Sequence, residues 1–198
     1  APGDSIADAI VRAGADGRVI LEPGEHEGSF TLPHSIELVA AEPGKAILTG
    51  AADGPVLRVN RGIGVVARGL VMRSRRTADD KSLNAIHVNG GFALLQDCDI
   101  RATHHGVAVV GNGDARLLGC RVHDCGKHGV VADAGDLVLH DVEIRNAGMH
   151  GVSRIGGGEP SLLEDVRVID AAQTGVFAAG SVIVRGLRGV DDAHVLEQ

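Results

Sequence analysis

Along the middle of the chain, apolar residues fall in short clusters and not in helical stripes. The sequence reads as successive lines, "NAIHVNGGFALLQDCDIRAT", "HGVAVVGNGDARLLGCRVHDCGK", "HGVVADAGDLVLHDVEIRNAGM", "HGVSRIGGGEPSLLEDVRVIDAAQ" and "TGVFAAGSVIVRGLRGVDDA". In each, the second residue is small and is followed by a β-branched one. The anchors Ala85, Gly106, Gly129, Gly151 and Gly175 are 21, 23, 22 and 24 residues apart. Every line carries three apolar segments ("GVVA", "LVL" and "VEI" in the third), with Gly, Asn and Asp at the bends. Segments this short, without a 3.6-residue period, are strands. Three strands per repeat, kept in phase, predict an all-β parallel β-helix whose coils stack at ~4.8 Å.

Stacking sorts side chains into columns. The expected inward columns are Ile86, Val107, Val130, Val152 and Val176; Leu95, Leu118, Leu139 and Leu163; and Cys98, Cys120, Val142, Val166 and Leu187. Two of the three cysteines, Cys98 and Cys120, thereby read as small buried hydrophobes. Outside runs Asp99, Arg121, Glu143 and Arg167, a ladder of alternating charge. The opening "DSIADAIVRAG" predicts a capping helix within residues 1–14, with Asp4 or Ser5 as N-cap, Ile6, Ala9 and Ile10 inward and Gly14 as its stop. An open stack needs such a cover over its apolar interior. Pro-Gly pairs at 23–24 and 43–44 mark turns of the first coils. The whole chain, 1–198, is expected to be one domain, with coils over 19–190 and residues 191–198 as a tail or a truncated continuation.

Composition narrows the function classes. Gly numbers 29, and the aromatics are three Phe with no Trp or Tyr. Sugar-binding grooves usually offer aromatic faces, so a small molecule or a peptide is as compatible as a glycan. The formal net charge of −7, with signs interspersed, argues against nucleic acid and anionic membranes. Three cysteines do not make a secreted disulfide framework, and no signal peptide or long apolar run is present, so cytoplasm is the default compartment. Exposed coil ends and edges favour a homo-oligomer.

The repeats, together with "SIADAIVRAGADGRVILEPGEHEGSFTL", resemble the right-handed parallel β-helix repeat proteins of the pectate-lyase-like class. The resemblance covers nearly the whole chain and implies a right-handed solenoid of about 22 residues per coil. That fold hosts lyases, hydrolases, epimerases and non-catalytic scaffolds, so it does not by itself choose an activity. No calcium-binding aspartate set of the pectate lyase kind is recognisable.

Candidate chemistry gathers at one corner. The turns "RATHH", "HDCGKH", "RNAGMH" and "IDAAQT" place Asn84, His105, His128, His150 and Thr174 in one column, each just before its anchor. Asp124, Asn146 and Asp170 form another column, and His104, Cys125, Lys127 and Gln173 share the turn. His87 and Ser153 are expected to point outward on the following strand. One reading is a structural ladder in which each ring donates to the next. The other is proton transfer: coupled imidazoles lowered by one another, raised by Asp124 and Asp170, with His128 as base and His105 or Lys127 as acid, in lyase, epimerase or isomerase chemistry. In that reading His105, His128, His150, Asp124 and Lys127 are catalytic, and His87, His104, Ser153, Asp170, Arg75 and Arg76 bind substrate. The insertion "SRRTADDKSLN" would wall the cleft, its Arg75, Arg76 and Lys81 neutralising an anionic ligand. A metal stack of His105, His128, Cys125 and His150 lacks any local ligand motif, so no metal or cofactor is assigned. The alternative to an enzyme is a non-catalytic interaction module cut from a longer protein.

Overall fold

The computed structural model describes residues 5–51, 54–75 and 83–189. Arg76, Lys81 and the 191–198 tail lie outside the described residues. The chain opens on a helix, Ile6–Ala13, capped as its sequence predicts. The Ser5 hydroxyl accepts the Asp8 amide at 3.1 Å, and Gly14 ends the helix at φ +73°. Ile6 and Ile10 are buried against the first coil, so the helix closes the N-terminal end of the interior.

The chain then winds through three parallel sheets in turn. The first has eight strands, from Gly17–Leu21 to Val182–Arg185; the second seven, from Gly24–Glu27 to Arg167–Ala171; the third seven, from Phe30–Thr31 to Thr174–Ala178. Every strand pairs with its equivalent one coil away, which is the topology of a parallel β-helix. The register sets Ile86, Val107, Val130, Val152 and Val176 in line, all buried. Cys98, Cys120, Val142 and Val166 form a second buried line, with Leu187 partly covered at its end. The expected leucine column is corrected by one residue: it is Leu95, Leu117, Leu139 and Leu163, because Leu118 pairs with Gln96 and His140 on the outer face. A slip of one residue in a strand moves a side chain to the opposite face.

Corners are made by residues that tolerate positive φ. Between first and second sheets, Gly69, Asp97, Gly119, Asp141, Asp165 and Gly186 sit at φ 50–72°. The expected charge ladder is in register on the outside, but only in part an ion-pair ladder: Arg167 reaches Glu143 at 3.5 Å, whereas Asp99 accepts from His123 at 3.0 Å.

One interior position breaks the aliphatic rule. Arg154 falls in register with Ala132 and Ala178 and is 1% exposed. Its two terminal nitrogens donate to the Ile155 and Gly157 carbonyls at 3.0 Å, and its Nε has no partner. The small neighbours leave room for the guanidinium, which holds together the enlarged turn that follows.

At the histidine-bearing corner the anchor glycines lie on one another. A Cβ on Gly129 would sit 2.4 Å from Ile144 Cγ2 and 2.7 Å from the Gly151 carbonyl oxygen. The corner therefore folds tightly onto the core only with glycine there, and that fixes where the preceding side chain stands. Gly129→Ala is expected to cost about 2–3 kcal/mol through overpacking, while Gly157→Ala, with open space around it, is nearly neutral; equal urea midpoints for the two variants would refute this. Arg154→Ala, which leaves a void and two turn carbonyls without their donor, is expected to cost about 3 kcal/mol. The same urea titration reads it, and a loss below about 1 kcal/mol would show the turn to be self-supporting.

Candidate functional site

The glycine column presents its preceding residues in a file. The His105 and His128 rings lie 5.0 Å apart and 1° from parallel; His128 and His150 lie 5.0 Å apart at 12°. The file continues onto Phe177, 4.9 Å from His150 at 11°. Phe177 is the register partner of Ser153, so the His150 ring lies beside Ser153 on the outer face of the third sheet. This explains why Ser153, on the outward side as expected, is nevertheless 1% exposed, with its hydroxyl unpaired.

The rings do not bond one another, which corrects the expected ring-to-ring ladder. Face-to-face stacking points their nitrogens sideways. The His128 amide donates to His105 Nδ1 and the His150 amide to His128 Nδ1, each at 3.3 Å. An acceptor Nδ1 places the proton of a neutral ring on Nε2. His105 and His128 are therefore N–H donors at Nε2. Burial, followed by the neighbouring His104 and His128, lowers His105 to about 3; burial, then His150 and Lys127, lowers His128 to about 4. Both are neutral at physiological pH. His150 is also lowered by burial, and its Nδ1 has no partner.

Asn84 begins the file and organises the residues around it. Its Oδ1 accepts the His105 amide at 3.2 Å, which fixes the orientation of the carboxamide. The same oxygen accepts from His104 Nδ1 at 3.0 Å, and the Asn84 amide group donates to His87 Nδ1 at 3.3 Å. His104 thus carries its proton on Nδ1 and keeps a free lone pair on Nε2. Its ring stands edge-on to His105, with centroids 3.9 Å apart. His104 is lowered by burial and then by the Lys127 charge, and His87 by burial and then by Arg58. The backbone places His104, Lys127, Met149 and Gln173 in a second file beside the first, through amide-to-carbonyl bonds of 2.9 Å between successive coils.

The corner thus brings together His87, His104, His105, Lys127, His128, His150 and Ser153. Other expected members are elsewhere. Asp124 and Asp170 take the left-handed bulge at φ 50° and 55° and project as exposed side chains from the second sheet. Asp124 accepts from His123 and from Asn146, each at 3.0 Å, and lies 3.7 Å from Arg101; Asn146 and then His123 hold its carboxyl below the usual range. It is therefore not the expected raising influence on the imidazole file. Arg75 is committed to Glu25 at 2.8 Å and Glu27 at 3.6 Å near the N-terminal coils. Cys125 faces the interior opposite Ala147, and burial pushes its thiol up to about 12. Among the described residues, no three His, Cys, Asp or Glu side chains are grouped to hold a metal ion. Among them also, no helix is long and apolar enough to cross a membrane.

Sequence reasoning did not single out His123. Asn84 was legible as the residue one coil before His105. His123 gives no repeat signal, and only the fold shows it bridging Asp99 and Asp124, each at 3.0 Å. Burial works against its charge, but those two bonds outweigh it and raise its pKa.

No curated protein matches the sequence. Solved structures do match in fold. A protein of Geobacillus virus E2 aligns with TM-score 0.73 at 14% identity, over 92% of this chain and 44% of its own. An alginate lyase from Paenibacillus sp. str. FPU-7 aligns with TM-score 0.60 at 13% identity, over 96% and 93%. The A-module of a mannuronan C-5 epimerase from Azotobacter vinelandii aligns with TM-score 0.52 at 15% identity, over 91% and 70%. At such identities the likeness is one of fold. The family model described as "Right handed beta helix region" matches residues 60–186, and with three parallel sheets wound in register the chain belongs to the right-handed β-helix family.

Proposed function

We propose that the protein is an acid–base enzyme acting on a glycan bound across the histidine corner, of the lyase, epimerase or isomerase type. The observation that carries this reading is the Asn84 hub. It makes His104 a neutral imidazole with an open Nε2, directly beside rings that are neutral donors. Such a set suits removal of a proton next to a carboxylate. His104 takes the proton from carbon. The Nε2–H groups of His105 and His128 donate to the carboxylate oxygens as they gain enolate character, and the nearby Lys127 ammonium adds charge. Delivery of a proton by water to the opposite face of the carbon, with His104 giving up the abstracted one to solvent, gives epimerisation; departure of the β-oxygen, protonated by Lys127 or water, gives elimination. Phe177 supplies an apolar surface at the end of the file for a sugar ring. The lyase and epimerase folds among the structural neighbours support a carbohydrate substrate.

A second reading rests on the same ladder. Rings that accept backbone amides are structural by that fact, and a binding module would use them only as donors. Turnover separates the two. His104→Ala is expected to lower kcat on an acidic oligosaccharide by about 100-fold or more with binding retained, whereas an unchanged rate would remove His104 from the chemistry. His128→Gln is expected to fold and to weaken binding and rate together; loss of binding with no turnover in any variant, wild type included, would favour the module.

The pH profile offers a separate check. His104 must be unprotonated to act, and its pKa lies below the ordinary 6.5. Activity is therefore expected to be full at neutral pH and to fall with acid at a midpoint below 6.5. Asn84→Ala frees the Nδ1 proton from its acceptor and is expected to lower kcat more than it changes KM. An acid limb centred above 7 would contradict the assignment.

A further inference from the structure

Rings stack at one coil step in this molecule, and one file on the first sheet lacks a member. The strand Phe92–Gln96 turns the Phe92 ring outward, half-buried. The register neighbours of Phe92 are Gly64 on one coil and Asp114 on the other. On the Asp114 side the ring is covered: the Arg116 guanidinium carbon lies 5.6 Å from its centre, and Arg116 bonds Asp114 at 3.1 Å. On the Gly64 side no side chain stands in the file. A slot of about 360 Å³ opens there, bounded by Phe92, Ser35, Val66 and the group Arg18, Glu37 and Arg68.

Neither backbone nor packing calls for a glycine at the floor of this slot. The φ of Gly64 lies outside the left-handed region, and a Cβ there would meet Phe92 Cδ1 and Ser35 Oγ at 3.7 Å each, an ordinary contact. A glycine in a strand without such a cause marks a place where something approaches the backbone from outside. The rim is polar. Arg18 and Arg68 both close on Glu37 through Nε, at 2.5 Å and 3.1 Å, which leaves their terminal nitrogens as donors for a ligand. Ser35 Oγ accepts the Gly64 amide at 2.9 Å, so its own proton is free to donate.

We propose that this slot is a second glycan-binding site, in which one pyranose ring lies over Gly64 against the open side of Phe92. In the file of the third sheet, rings one coil apart stand 5.0 Å and 4.9 Å from each other. A sugar ring over Gly64 takes the place of the missing member of the first-sheet file. Its C–H face lies on the aromatic ring. Its hydroxyl or carboxylate oxygens accept from the guanidiniums and Ser35, and its hydroxyls donate to Glu37. The slot is open at its sides, so a chain of sugars can pass through it, whereas a site for an isolated small molecule encloses its ligand. The preference for a glycan over other rings rests on the reading of the histidine corner as glycan-acting. The slot lies on a different sheet from that corner, so it holds the chain without entering the chemistry.

The phenylalanines let one experiment read both sites. Phe92 reports on the slot, Phe177 on the histidine corner, and Phe30, 7% exposed in the core, on neither. The full chain, isotope-labelled at phenylalanine, is titrated with a uronate hexasaccharide and separately with a glucose hexasaccharide while the ring-proton shifts are followed by NMR. Saturable movement of Phe92 is expected. Movement with the uronate alone assigns the guanidiniums to a carboxylate, and movement with both sugars assigns them to hydroxyls. Gly64→Val fills the slot with a residue suited to a strand. It is expected to raise the Kd read at Phe92 about tenfold or more, with the Phe177 response and the melting temperature not reduced. Should that variant fail to fold, Arg68→Ala, on an exposed side chain, is expected to raise the same Kd. Phe92 unmoved by either sugar, or moved with the same Kd in the variants, would overturn the inference. A Phe92 response to a tyrosine-containing tripeptide and to neither sugar would overturn it too. Movement of Phe92 with Phe177 silent would leave the slot standing and count against the histidine corner instead.

Discussion

Everything in this molecule depends on the hydrogen bonds that tie each strand to its equivalent one coil away. They fix the axial step, and with it the height of every side chain above its counterpart. A residue about 22 positions along the chain becomes a direct neighbour, and local chemistry is decided by contacts that are remote in sequence. The interior columns, the outer files and the imidazole file all follow from this one constraint. It also makes errors costly, because an added atom at a stacked corner meets backbone above and below at once.

The same constraint governs the histidines. Rings held about one coil step apart at the edge of a sheet shield one another from water, and two of them accept an amide from the next coil. Both effects disfavour the imidazolium. A row of histidines is commonly read as a row of proton carriers. Here two rings of the row are kept uncharged, and the ring whose Nδ1 donates to a carboxamide and whose Nε2 is left open, His104, stands beside the row.

Much of the architecture was legible in the sequence because it is periodic. Small residues recur where coils touch, and Gly or Asp recurs where φ must be positive, so phase could be counted from the anchors. The slip at Leu118 arose because "RLLG" offers two adjacent leucines, and only the strand register says which one turns inward. The site was less legible. Asp124 looked adjacent to the histidines by position, but a left-handed residue swings its side chain onto the neighbouring sheet. Arg75 looked free to serve the corner, but its partners come from residues fifty positions earlier. Tautomers were beyond reach, since they follow from which amide meets which nitrogen.

The enlarged turn held by Arg154 shows where this solenoid tolerates change. Its extra residues bulge away from the stack, and the strands on either side still pair without a shift. Walls are shared property between neighbouring turns of the spiral, whereas each bend belongs to a single turn. Novelty can thus be grafted at bends, one rung at a time, and a lineage of such proteins could exchange its loops while the scaffold beneath keeps its pitch.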